Sequence, residues 1–336
     1  MKRLSLVLGI VLVAGMAMAQ PNTAVVTDNG SFNASYINQL GGVNGNNSAT
    51  ITQIGDLNNA AVGDHAASSL FPVLTGTKGI TQSGKGNTGS ISQTNLFTGT
   101  VSAGPEAGMG QYGMDNTATI TQSHNSAWMQ EYAFAKQVGN GNTSLQKQAS
   151  MFGYSHVSQV GDENKAETQQ SGGYSQKANI LQNGDNNEAY QFQGSTTLSY
   201  TQNNVAEASQ LGDHNQSWQV QKGSDNFAKT TQETNDNDAY LYQNGNFNKA
   251  TILQKSGNFN VVNLTQDGGA VADILQNGAN NTLMGVGDIM ATSLNGSTLN
   301  LDQLGNGNTL QLQQTNGGAA TVLQNGITNT SVVIQN

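Results

Sequence analysis

The 336-residue chain has no cysteine, so no disulfide can staple it and no thiolate can ligate a metal or act as a nucleophile. Proline occurs three times, at Pro21, Pro72 and Pro105. Everything after Pro105 is therefore free to donate every backbone N–H to a neighbour. Charged residues make up 10%, with 12 basic against 21 acidic, which leaves no basic surface to grip nucleic acid or anionic lipid. Long apolar runs are scarce too. The one that stands out follows Lys2 and Arg3, covers residues 4–16 and ends in Ala17-Met18-Ala19. It is shorter than the roughly 20 apolar residues a spanning helix requires, and its tripartite layout is that of a cleaved secretory leader. The expectation is a signal peptide at residues 1–19, an exported chain starting at Gln20, and no transmembrane segment in the mature form.

What is abundant is glycine, at 41 residues, with asparagine, glutamine, serine and threonine. By composition alone such a chain reads as low-complexity and disordered. Spacing overrides that default. Across residues 221–254, QKGSDNFAKTTQETNDNDAYLYQNGNFNKATILQ, glutamine recurs every eleven residues at Gln221, Gln232, Gln243 and Gln254. The pattern Q-x-G-x-x-N-x-A-x-x-x-Q is complete at Gln111-Gly113-Asn116-Ala118-Gln122, Gln159-Gly161-Asn164-Ala166-Gln170 and Gln182-Gly184-Asn187-Ala189-Gln193. It is complete again at Gln221-Gly223-Asn226-Ala228-Gln232 and Gln243-Gly245-Asn248-Ala250-Gln254. Close variants run from Gln137 to Gln148, from Gln210 through Gly212 and Asn215 to Gln221, and from Gln232 through Asn237 to Gln243. Two more run from Gln303 through Gly305 and Asn308 to Gln314, and from Gln324 through Gly326 and Asn329 to Gln335.

An eleven-residue period can also mark a right-handed helical supercoil. The units place Gly, Asn and Thr where a helix needs Ala, Leu or Glu, so that reading fails. Read as strand, the period is informative through its parity. Asn to the next Gln is an even step, so Asn, Ala, a third residue and Gln share one face. The third residue is Ile120, Leu241, Ile252, Leu312 or Val333, which makes the shared face the interior. Gln to the following Asn is an odd step, so the chain must turn between them, where Gly with nearby Asn and Asp supplies the positive φ values. Each unit is thus one strand and one turn, and two units close a coil of about 22 residues. The spacing predicts an all-β fold, a β-solenoid of at most about 13 coils rising about 4.8 Å each, amyloid-like in its cross-β stacking. Coil over coil, each interior Gln or Asn lies on an identical residue, and its amide can donate to the next carbonyl. These Gln and Asn positions are the candidate amide-ladder and polymerisation residues, and the glycines are the candidate turn residues.

The repeat lapses near 61–80, 94–110 and 284–300, where irregular insertions are expected. Several aspartates, among them Asp162, Asp213 and Asp225, fall in or beside turns, where charge favours solubility and slows premature aggregation.

The multiplied pattern resembles the curlin repeat of the secreted subunits of curli, bacterial extracellular amyloid fibres, over Gln39 to Asn336. The resemblance implies export through the periplasm, passage through an outer-membrane secretion channel, and polymerisation with copies of itself or related subunits at the cell surface for adhesion and biofilm matrix. It also implies that residues 20–38 address the secretion machinery. The array is longer than in familiar curlins, leaving open a major or a nucleating subunit. The other class left open is a monomeric β-solenoid adhesin for glycans or ice, with Trp128 and Trp218 as candidate sugar platforms.

Chemistry of other kinds finds little footing. GITQSGKG at Gly79–Gly86 imitates a phosphate-binding loop, but Gly86 stands where the metal-binding Ser or Thr belongs. His65, His124, His156 and His214 lack ligand spacing, and Glu233, Asp236 and Asp238 fit a solvated turn better than a Ca²⁺ site. The expectation is no enzyme, no catalytic residue, no cofactor and no metal.

Overall fold

The computed structural model describes residues 22–30, 33–41, 46–55, 59–60, 79–95, 105–124, 131–194, 203–287 and 289–336. The leader expected at 1–19, Trp128, and most of the stretches expected to be irregular at 61–80 and 94–110 lie outside those residues. The chain divides into two units, Met1–Glu163 and Asn164–Asn336. Among the described residues the regular elements are all β-strands, and the strand pairs that build each unit run parallel.

In the first unit one sheet stacks Thr23–Asn29, Ser48–Ile54, Thr88–Asn95, Thr117–His124 and Thr143–Met151 in that order. The facing sheet stacks Ile37–Gly41, Gly79–Lys85, Glu106–Met114, Tyr132–Asn140 and Tyr154–Val160. In the second unit one sheet runs Lys165–Tyr174, Glu188–Gly194, Gln216–Lys222, Asp238–Asn244 and Val261–Asp267. It continues through Thr282–Met284 with Ala291–Leu294, then Thr309–Gln314 and Thr330–Gln335. Its partner sheet runs Lys177–Asn183, Val205–Leu211, Phe227–Gln232, Lys249–Lys255, Val271–Asn277, Thr298–Asn306 and Ala319–Ile327. Consecutive strands alternate between sheets, so each unit is a β-solenoid of the kind the parity requires.

The alternation seen in sequence is the alternation seen in burial. Along Lys249–Lys255 the pattern is strictly exposed or half-exposed against buried, with Ala250, Ile252 and Gln254 inside. Ala–Ile–Gln or Ala–Leu–Gln triplets of successive coils build an apolar core around Leu241, Ile252, Leu264 and Ile274 in the second unit, and around Ile51, Ile80, Ile91 and Ile120 in the first. The small Ala beside each turn lets the two sheets close at the coil corner, while the larger residue fills the middle.

Three features depart from the sequence expectation. Stacking starts before Gln39, because Thr23–Asn29 pairs in register with Ser48–Ile54. The stretch expected to be irregular up to residue 110 contains regular strand from Glu106 onward. In the turns, the second positive-φ residue is the one just before the repeat Asn, as at Asp115, Glu163, Asn186, His214, Asp225 and even Phe247. Phe carries no preference for that conformation; the stacked turns on either side impose it.

Candidate functional site

Glutamine and asparagine fill the interior beside the apolar core. Gln111, Asn116, Gln122, Gln159, Asn164, Gln170, Gln182, Asn187, Gln193, Gln210, Asn215 and Gln221 are all buried. So are Asn226, Gln232, Asn237, Gln243, Asn248, Gln254, Gln303, Asn308, Gln314 and Gln324. Asn329 and Gln335, on the last coil, are half-buried.

The structure joins these residues into continuous columns. In the first unit the Nε2 of each glutamine donates to the Oε1 of the next, along Gln39, Gln82, Gln111, Gln137 and Gln159. A second column runs along Gln53, Gln93, Gln122 and Gln148. In the second unit one column runs unbroken through Gln182, Gln210, Gln232, Gln254, Gln276, Gln303 and Gln324. The other runs through Gln170, Gln193, Gln221, Gln243 and Gln266, pauses, and resumes from Gln314 to Gln335. At the pause Ser293 takes the glutamine position, on the second of two short strands, Thr282–Met284 and Ala291–Leu294, that share one level of the sheet. The spare amide protons go to carbonyls: Gln232 Nε2 also donates to Gln216 O at 2.9 Å and Asn237 O at 2.7 Å.

Asparagine columns run the other way. The Nδ2 of Asn116 donates back to Asn87, and that of Asn142 back to Asn116. In the second unit Asn187, Asn215, Asn237, Asn260, Asn281, Asn308 and Asn329 each donate to the Oδ1 of the preceding coil's asparagine. The backbone N–H of Asn215 donates to that same oxygen on Asn187, so the asparagine carbonyl bridges side chain and turn. Glutamine amides thus point toward the C-terminal coils and asparagine amides toward the N-terminal ones. The opposed dipoles offset one another while every column keeps a direction. A shorter asparagine column on the opposite corner comprises Asn204, Asn226 and Asn248 and closes on the N–H of Ala270.

Several residues that the repeat pattern did not single out join the same network. Asp28 pairs in register with Gln53 and so takes a glutamine position in the first strand. The hydroxyl of Ser35 stands between Asp28 Oδ1 at 3.0 Å and Gln53 Oε1 at 2.9 Å, its one proton shared by the two acceptors. Gln191 and Gln219 occupy the middle inward position usually given to Ile or Leu, and they too join, at 2.9 Å. Their signal was present in the sequence: each lies two residues before a ladder glutamine.

The turn glycines Gly113, Gly161, Gly184, Gly212, Gly223, Gly245, Gly305 and Gly326 all have φ between +80° and +130°. At Gly184 an added Cβ would sit 2.1 Å from the carbonyl oxygen of Gly212. Glycine is there because the next coil's backbone occupies the space. The turn aspartates have a structural role beyond solubility. Asp162 Oδ1 accepts from the backbone N–H of Asn140 at 2.8 Å, and Asp213 Oδ1 from that of Asp185 at 2.8 Å.

Residues Gly79–Lys85, the stretch imitating a phosphate loop, form a strand with Gln82 in the ladder. Among the described residues no group of three or more His, Cys, Asp or Glu is placed to hold a metal. None of their helices is long and apolar enough to cross a membrane.

Residues 234–268 match the family model described as Curlin associated repeat. The chain carries a curlin repeat. The matched stretch holds the column residues Asn237, Gln243, Asn248, Gln254 and Gln266, together with the turn glycine Gly245. Comparison with curated proteins gives no match. The curlin repeat and the solenoid it folds into are structural devices, and the carboxamides of the columns pair with one another in the interior.

One outward carboxylate is held in an unfavourable setting. Burial, and then the nearby Asp236, push the Asp238 carboxyl above the usual carboxylate range. A group whose pKa is raised on folding favours the fold most at low pH, and that contribution is lost as pH rises through the folded value. Asp238→Asn is therefore expected to raise the urea midpoint at pH 7. The gain over the parent should vanish below about pH 3.9, where the unfolded carboxyl is also neutral. Urea titrations of both proteins across that range check it; a gain that persists at low pH would assign the effect to something other than charge.

Proposed function

We propose that the chain is a structural subunit of an extracellular curli-type amyloid fibre, exported through its N-terminal leader and polymerising by end-to-end stacking of solenoids. The observation that carries the reading is the state of the last coil. Ala319–Ile327 and Thr330–Gln335 stay in register with the coil below, residue for residue. Beyond them no strand covers the edge among the described residues. Gln324, Asn329 and Gln335 continue their columns up to that edge.

A strand edge with open N–H and C=O groups is a template for another chain. Joining a last coil to a first coil is heterologous and does not close, so it builds filaments. The directional columns restrict the joint to one polarity, since glutamine amides at the last coil need acceptors and those of the first coil supply them. Gln39 Oε1 and the Asp28 carboxylate are the acceptors on that coil. The curlin repeat supports an extracellular location, and secretion by way of the expected leader with a role in adhesion and matrix belongs to the same reading.

The test is polymerisation of the chain lacking its leader, diluted from denaturant and followed by thioflavin fluorescence and electron microscopy. The expected result is filaments whose growth is accelerated by seeds, with a fibre reflection near 4.8 Å. Stable monomers under the same dilution would defeat the proposal.

A further inference from the structure

The outer face of one sheet in the second unit carries a bounded aromatic patch. Tyr190, Trp218 and Tyr240 are register partners on three successive strands, and Phe192, Val220 and Tyr242 form the adjacent column. Five of these six positions are aromatic in a chain that is 6% aromatic overall, so composition does not account for them. The rings of Tyr190 and Trp218 lie 4.6 Å apart, tilted by 39°, and Trp218 keeps 43% of its surface exposed. Polar residues close both ends: Glu167 precedes Tyr190 in its column and Asn263 follows Tyr240.

The third column beside the rings is Glu188, Gln216 and Asp238. The Tyr240 hydroxyl donates to Gln216 Oε1 at 2.9 Å, which fixes that amide with its NH₂ available to a ligand. Two cations border the face: Lys222, whose Nζ stands 5.1 Å from the Tyr242 ring centroid, and Lys165, the register partner of Glu188.

We propose that this face binds a linear β-linked glycan bearing free amino groups, laid along the stacking axis. Sugar rings present flat C–H faces that pack on aromatic side chains, while their hydroxyls need amide and carboxylate partners. The strands repeat about every 4.8 Å, close to the advance of an extended β-1,4-linked chain per sugar, so one side chain per column meets each successive sugar. The charges select the class. Two carboxylates flank the rings, and the chain as a whole carries −9, which attracts an ammonium and repels an acidic glycan. A cation also finds the ring faces favourable. Burial and Asp236 disfavour the bare charge on Asp238, and an ammonium set beside it relieves both. Binding at this face does not require polymerisation, so it stands apart from the fibre reading.

The test measures binding of three hexasaccharides to the full chain at about pH 6, where ordinary carboxylates are ionised: fully deacetylated chitohexaose, its N-acetylated form, and an acidic oligogalacturonate. Titration calorimetry is the readout, repeated at raised salt. The deacetylated hexamer is expected to bind at least tenfold more tightly than the other two and to weaken with salt. Trp218→Ala with Tyr240→Ala should lower its affinity at least tenfold. Glu188→Gln with Asp238→Asn should abolish the preference for the amino sugar while leaving a weak, salt-independent affinity for both chitohexaoses. All four side chains face outward, and unchanged circular dichroism confirms that the variants fold; should the aromatic pair fail to fold, the carboxylate pair decides. No binding of the amino hexamer, equal binding of the acidic one, or a carboxylate variant that keeps the preference would overturn the proposal.

Discussion

Gln232→Ala is expected to cost about 4 kcal/mol or more, a large part of the 5–15 kcal/mol that holds a typical domain, and to abolish filament growth at concentrations where the parent assembles. Gln232 is fully buried and donates to Gln216 O, Asn237 O and Gln254 Oε1, while it accepts from Gln210. Truncation removes four hydrogen bonds inside a packed core and takes from Gln254 Oε1 its ladder donor, while Asn237 O keeps the N–H of Gln216 and Gln210 Nε2 keeps two carbonyls. Each orphaned buried group costs about 1–3 kcal/mol, and the cavity adds to that. A control sits on the same strand. Lys229 faces outward, its Nζ 3.7 Å from Glu207 with both side chains more than a third exposed. Lys229→Ala should shift stability by no more than about 0.5 kcal/mol. Urea midpoints and thioflavin lag times of the two variants check the difference. Equal midpoints would mean that the columns contribute nothing beyond ordinary burial.

The second large effect belongs to a pair of glycines. Gly184 and Gly326 have nearly the same backbone, with φ of +130° and +121°, so alanine brings similar strain to each, about 1–3 kcal/mol. Their surroundings differ. The new Cβ at Gly184 meets Gly212 O at 2.1 Å, whereas at Gly326 the nearest atom is Asn329 Nδ2 at 3.6 Å. Gly184→Ala must push two backbones apart and break the ladder locally, because neither atom belongs to a side chain that can swing away. Its loss should exceed the strain alone by several-fold, read as the urea midpoint and as lost hydrogen-exchange protection across Lys177–Leu211. Gly326→Ala should leave a folded chain with a modest drop in midpoint. If a second copy stacks on the last coil, the same Cβ then meets that copy's carbonyl, and seeded elongation should fall at least tenfold. Normal elongation by Gly326→Ala would remove end-to-end stacking as proposed, whatever the fate of Gly184→Ala.

The parity of the repeat was enough to put the candidate Gln and Asn positions on the inward face and the candidate glycines in turns. A strand alternates faces with a period of two, and no tertiary contact can alter which residues share a side. The same arithmetic put Ala118, Ile120 and Gln122 on one face, as observed. Coil length varies, as the lapses of the repeat near 61–80 led one to expect, though the longer step after Gln193 had no such signal. Column partners stand 22 residues apart at Gln210 and Gln232, but 28 at Gln193 and Gln221, 40 at Gln53 and Gln93, and 43 at Gln39 and Gln82. The ladder tolerates this because loop closure grows costlier only slowly with loop length, while a lost buried amide pair is costly at once.

By itself, then, the sequence determined the alternation, the turns, the strand-per-unit rule and the solenoid, since these depend on neighbours within one repeat. Only the tertiary structure decided which coil each residue meets and in which direction its amide points. It also decided that Asp28 caps a glutamine column and that Tyr190, Trp218 and Tyr240 line up on one face. Those alignments join residues separated by whole coils of differing length, and only the hydrogen-bonded stacking of one strand on the next sets that register.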